Sequence, residues 1–282
     1  MKTPEFVLTF SCDDHIGIVQ AVSTWLLGID CNIIDSSQFG DAFTGRFFMR
    51  VQFSGDHELT SLQAAFVEIA AEHGMSWELW DVDVHPKVLI MCSKPDHCIA
   101  DLLYRAYYRE LPVDVALIVS NHRDNYGLAA RYDVDFVHLP ITKDNKAQQE
   151  TRLFSEVEAR GIDFMVLARY MQILSNDFCA KMPARIINIH HSFLPSFKGA
   201  RPYHQAHERG VKLIGATAHY VTADLDEGPI IDQGIERVDH RSSPAELAEI
   251  GRDVERLVLA RAVRYQAEHR ILLNDNKTVV FS

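Results

Sequence analysis

From residue 87 onward, strand-length apolar runs alternate with helix-length stretches, and this pattern restricts the fold more than any other feature of the chain. The runs lie at 88–91, 113–119, 164–167 and 186–189, with a weaker one at 136–139. A strand that is apolar on both faces must be covered on both, so such strands separated by helices predict a mostly parallel, Rossmann-like sheet between helical layers. Helical stretches at 99–108 and 151–160 fit between the runs. Further on, Ser243 is placed to cap a helix, Pro244 suits its first position and Glu246 completes a capping box. Leu257, Ala260, Ala262 and Val263 follow as packing positions, and short strands around Asn274, Asp275 and Asn276 close the chain.

The first 84 residues follow a different rule. They hold three Lys/Arg (Lys2, Arg46, Arg50) against thirteen Asp/Glu, whereas the remaining 198 hold 25 against 26. This step predicts two domains, 1–84 and 85–282, joined near His85 and Pro86. A strand at 6–12 precedes Ile18, Val19, Val22, Trp25 and Leu26 at helical spacing, ended by Gly28. Strands at 31–39 and 46–53 flank a turn, and Leu62, Phe66, Ile69 and Ala70 share a helical face. A last strand places Trp80, Val82 and Val84 opposite Asp81 and Asp83. The order is βαββαβ, a ferredoxin-like two-layer sandwich. Its segment Asp14-His15-Ile16-Gly17-Ile18-Val19, with Asn32-Ile33 after the helix, resembles the ACT family of small-molecule-sensing domains. That resemblance implies assembly into a homo-oligomer, a dimer or tetramer, and an amino-acid effector held near Gly17 and Asn32. Gly17 would let the backbone turn into a helix N-terminus, whose free N–H groups suit a carboxylate. The plainer alternative is that Gly17 only shapes the turn and the domain only assembles subunits.

Composition narrows the classes of partner. With 47% hydrophobic and 24% charged residues the chain can bury a substantial core, and its net charge of −11 argues against nucleic acid and anionic membranes. No apolar run reaches bilayer length and the N-terminus lacks a signal-peptide pattern, so the expected location is the cytoplasm. Five cysteines (Cys12, Cys31, Cys92, Cys98, Cys179) in no paired spacing read as reduced thiols. No metal is expected: His190 and His191 are adjacent, so on a strand they would point to opposite faces, and no H-E-x-x-H pattern occurs. No cofactor is expected either.

The chemistry concentrates in INIHHSFLPSFKGARPYHQA, residues 187–206. Asn188 and His190 stand two apart on an expected strand, so their side chains leave one face. Polar residues late in an apolar run lie where a parallel sheet opens. This stretch resembles the formyltransferase family that handles 10-formyltetrahydrofolate. So does a second block, from Gly215-Ala216-Thr217-Ala218-His219-Tyr220-Val221 to Asp226-Glu227-Gly228-Pro229-Ile230. The resemblance puts Asn188, His190 and Asp226 on the catalytic trio, with His191 and His219 behind them. It assigns the pteridine pocket to Met171, Gln172, Ile173 and Leu174, faced by Val221, Thr222, Ala223 and Asp224. Arg169, Lys198 and Arg201 could attract the glutamate tail of a folate, but a solvated surface position is the better reading of each.

Transfer and hydrolysis diverge at the acceptor. A phosphorylated acceptor such as glycinamide ribonucleotide calls for a glycine-rich loop after the first strand. Here that stretch, Cys92-Ser93-Lys94-Pro95-Asp96-His97-Cys98, has no glycine. His191 also stands where the family's transferases usually carry proline. Both departures, with the ACT-like domain, resemble the family's deformylases. The implied activity is hydrolysis of 10-formyltetrahydrofolate to formate and tetrahydrofolate, balancing the one-carbon pool and supplying formate for purine synthesis. The alternatives are phosphoribosylglycinamide formyltransferase and a non-catalytic amino-acid sensor.

Overall fold

A computed structural model of the chain describes residues 3–192 and 202–282. They form two compact units, Met1–His85 with Glu268–Ser282, and Pro86–Ala267. The last fifteen residues, expected with the C-terminal domain, therefore belong with the N-terminal one.

The first unit runs β1 (Glu5–Asp13), α1 (Ile18–Gly28), β2 (Asn32–Asp41), β3 (Arg46–Ser54), α2 (Leu59–Glu72) and β4 (Ser76–Asp81), the expected βαββαβ order. Its antiparallel sheet has the order β2-β3-β1-β4. Alternate residues of β1 and β3, including Phe6, Leu8, Phe10, Met49, Val51 and Phe53, meet Val22, Trp25, Leu26, Leu62 and Phe66 from the helices. Each of these large side chains contributes about 2 kcal/mol by leaving water. The intervening residues are buried too. Val7, Phe48 and Arg50 are at most 2% exposed, because the C-terminal hairpin β12 (Ile271–Asn274) and β13 (Lys277–Val280) belongs to this unit. Arg50 donates to the Glu268 carbonyl at 3.1 Å, Asn274 Nδ2 donates to Asp41 at 2.7 Å, and Trp80 stacks on His269 with ring centroids 4.1 Å apart. That covering corrects the expected alternation of the last strand. Trp77 and Leu79 turn toward the helices, Trp80 toward the hairpin, and β4 stops before Val82 and Val84.

The second unit contains a seven-stranded sheet of order β11-β10-β9-β8-β5-β6-β7. The parallel strands are β5 (Lys87–Cys92), β6 (Asp114–Ser120), β7 (Phe136–His138), β8 (Phe164–Ala168) and β9 (Ile186–His190). Beyond them, β10 (Leu213–Tyr220) and β11 (Ile230–Arg237) run antiparallel, a pairing that the apolar runs did not reveal. On one face, α5 (Lys146–Arg160) and α6 (Asn176–Lys181) bury Leu89, Met91, Met165, Leu167 and Ile186. α3 (His97–Tyr107) and the long α8 (Pro244–Ala267) pack together in this unit, with α8 also against β9, β10 and β11. The capping box at the head of α8 is formed: Ser243 N–H donates to Glu246 Oε2 at 2.7 Å and Glu246 N–H returns to Ser243 Oγ at 3.3 Å. Ala260, Ala262 and Val263 are buried as expected, but Leu257 is exposed. All five cysteines are free. Among the described residues, no helix is long and apolar enough to cross a membrane.

Candidate active site

Two strands that read as ordinary core in their first halves end in polar groups. In β9, Ile186 and Ile187 are buried, and Asn188 and His190 follow on one face as the strand reaches its C-terminal end. β10 runs antiparallel beside it, with His219 directly opposite Asn188 in the ladder. Asn188 Nδ2 donates to His219 Nε2 at 3.2 Å, and the other ring nitrogen donates to the Tyr220 carbonyl at 2.9 Å. His219 is 2% exposed, so its ring is held at both ends and fixes the orientation of the Asn188 amide.

Asp226 arrives on the loop between β10 and β11. Tyr220 N–H donates to the Pro229 carbonyl at 2.9 Å, drawing the loop's ends together. Gly228 lies so close to the Tyr220 carbonyl that a Cβ there would collide with it. The Asp226 backbone is left-handed, with φ at 57°, a conformation uncommon outside glycine though tolerated by aspartate. Its carboxylate lies 3.3 Å from His190 Nδ1 and 3.7 Å from His219 Nε2. The hydrogen bond from His190, with His219 close by, holds its carboxyl well below the usual carboxylate range, outweighing its partial burial. Among the described residues, His190 Nε2 is buried without a hydrogen-bond partner, free to meet a ligand.

These groups share a cavity of about 260 Å³. Asn188, His190, His191, His219 and Asp226 line it together with Met171, Gln172, Ile173, Leu174, Val221, Thr222, Ala223 and Asp224, so every residue expected in the catalytic and pteridine groups meets there. Leu167, Arg169, Tyr170, Ile189 and Leu225 complete the wall and were not singled out for it. Met171 and Ile173 are more than half exposed, an apolar surface suited to a flat ring. Gly17 and Asn32, the expected effector pair, are not brought together. Gly17, at φ 104°, precedes α1, and Asn32 begins β2 beyond the helix's other end. Eleven helical residues, about 16 Å, lie between them. The motif residues 193–201, with Lys198 and Arg201, fall outside the described residues.

Two further expectations need correction. His190 and His191 do not diverge: β9 stops at His190, the next residue leaves the extended path, and the rings stack with centroids 5.0 Å apart. Arg169 is not a solvated cation. Its side chain is 16% exposed and its Nε lies 3.3 Å from Glu255. Among the described residues, His97, Cys98 and Glu255 also place one donor atom each within 4.8 Å of one another. The signal was present in α8, where Gly251, Glu255 and Leu259 share the spacing of its buried stripe.

Burial, reinforced by the charges of Arg169 and His190, pulls His191 down to about 4 from an ordinary 6.5, and burial does the same to His269 in the other unit. A histidine neutral when folded takes up its proton only on unfolding, so stability should be full above pH 6.5 and fall as pH drops toward 4. Urea denaturation at pH 7 and pH 5 tests this hypothesis; equal midpoints would contradict it.

The Formyl transferase family model matches residues 86–263. Formyltetrahydrofolate deformylase of Corynebacterium sp. (strain P-1) is 47% identical over 97% of this chain and 97% of its own length. The crystal structure of formyltetrahydrofolate deformylase from Burkholderia mallei superposes with a TM-score of 0.95 at 51% identity, covering 99% of this chain and all of that one. The chain belongs to the formyltetrahydrofolate deformylase family. Likeness to the deformylases spans both units, whereas glycinamide ribonucleotide transformylase 1 from Symbiobacterium toebii covers 70% of the chain, with 31% identity and a TM-score of 0.66.

Proposed function

We propose that the chain hydrolyses 10-formyltetrahydrofolate to formate and tetrahydrofolate. The observation that carries this reading is the His190–Asp226 pair at 3.3 Å beside Asn188, in a cavity with exposed Met171 and Ile173 on its wall. A formamide resists water because attack puts negative charge on its oxygen. The Asn188 N–H not given to His219 and the Nε2–H of a protonated His190 can both donate to that oxygen, lowering the barrier. Asp226 keeps the imidazolium in place and orients the water. As the water oxygen bonds to the formyl carbon, the carbonyl pair moves to oxygen and a water proton passes toward the carboxylate. Return of that pair breaks the C–N10 bond, N10 takes a proton, and formate leaves. The reading calls for no resident cofactor, since each charge is met by a side chain.

The test uses the purified full chain with 10-formyltetrahydrofolate, with and without glycinamide ribonucleotide. Formate released without acceptor is the expected result. Turnover only with acceptor would make the chain a transferase, and none at all a sensor. On the hydrolytic reading the chain balances the folate one-carbon pool and supplies formate for purine synthesis in the cytoplasm. Its N-terminal unit serves assembly into a homo-oligomer and an amino-acid response. The edge strand β2, with Ile33, Ile34 and Phe39 exposed, supports assembly.

A further inference from the structure

The most buried acid of the second unit lies outside the catalytic trio. Glu255 on α8 is 1% exposed, and three segments converge on its carboxylate. His97 Nε2 stands 2.8 Å from one oxygen and Arg169 Nε 3.3 Å from the same one, while the Tyr203 hydroxyl donates to the other at 2.8 Å. A carboxylate so far from water is costly unless its charge and lone pairs are met. Here they are met. Although burial pushes Glu255 up, the hydrogen bond from His97 and the charge of Arg169 hold it below its ordinary value.

The position within the sheet gives the cluster meaning. His97 opens α3 just after β5, and Arg169 directly follows β8. β5 and β8 are adjacent parallel strands, yet the chain leaves β5 toward β6 and β7 on one side before returning as β8 on the other. The gap beyond their C-terminal ends is thus the switch in strand order where such sheets admit ligands, often through a phosphate. Local structure is bent to this arrangement. Arg169 holds a left-handed backbone at φ 59°, a strained state for arginine. Gly251, one turn before Glu255, has no Cβ because one would collide with the Tyr203 ring.

We propose that Glu255 is a built-in anion: its carboxylate occupies the anion subsite at the strand-order switch, so that a phosphorylated second substrate is shut out and the neighbouring cavity is left to water. The inference rests on the hydrolytic reading for its consequence but not for its test. Cys98, also in the cluster, adds no charge, since burial pushes its thiol well above the ordinary value.

Inorganic phosphate is the probe, titrated into the full chain and followed by calorimetry and melting temperature. Glu255→Ala removes the internal anion and leaves Arg169 and His97 unpaired, so it should bind phosphate about tenfold or more tighter than the unaltered chain. Adding Arg169→Met should abolish the gain. If Glu255→Ala unfolds alone, phosphate should restore its cooperative melting. A folded Glu255→Ala with phosphate affinity within about twofold of the unaltered chain overturns the proposal. So does a gain that survives Arg169→Met, or an unfolded variant that phosphate does not restore. Formate release by the unaltered chain, measured in parallel, reports separately on the hydrolytic reading.

Discussion

Asp226→Asn lowers kcat for formate release by about a thousandfold and leaves KM within about threefold. The substitution keeps the side chain's shape, and asparagine tolerates the left-handed backbone that Asp226 adopts at φ 57°. What is lost is the negative charge 3.3 Å from His190 Nδ1. Without it the imidazolium that would donate to the formyl oxygen has no counter-charge, and the water has no acceptor to orient it. Both losses fall on the transition state rather than on folate binding, so the effect belongs in kcat. Steady-state kinetics on a variant with unchanged circular dichroism makes the measurement. A kcat equal to that of the unaltered chain would remove Asp226 from the reaction.

Asn188→Ala should cost on the order of 3 kcal/mol of barrier, about a hundredfold or more in kcat. Its amide is aimed by His219, which is fixed between the Tyr220 carbonyl and Asn188 itself. The donor is therefore already in place before any charge appears, which gives a hydrogen bond its catalytic value. Asn188→Asp offers only acceptors to an oxygen that is becoming negative, and should recover none of the loss. If Asn188→Ala keeps kcat within about fivefold, oxyanion stabilisation must come from elsewhere.

Much of this site was legible before any coordinates, because its elements report themselves by period. Asn188 and His190 interrupt an apolar strand two residues apart, a spacing that fixes their shared face. Asp226 and the segment 171–174 were placed by motif resemblance, since nothing in their local pattern marks them. Three things stayed hidden for physical reasons. His191 left the strand's alternation because the strand ended one residue earlier. Trp80 faced away from the helices because a hairpin some 190 residues later in the chain covers the other side of its sheet, and no local period carries so distant a contact. Arg169 read as a surface charge and Glu255 went unmarked because their meaning is pairwise, and pairing across 86 positions leaves no trace in either neighbourhood.

The return of Glu268–Ser282 to the first unit has a consequence for biosynthesis. Arg50 takes its backbone partner from Glu268, and Asp41 is paired by Asn274. A nascent chain therefore holds a half-covered sheet throughout translation of the 182 residues from Pro86 to Ala267. The part made first is the part finished last. A ribosome that stalls before residue 268 would leave the Pro86–Ala267 unit whole while the unit translated ahead of it still shows an apolar flank to the quality-control machinery.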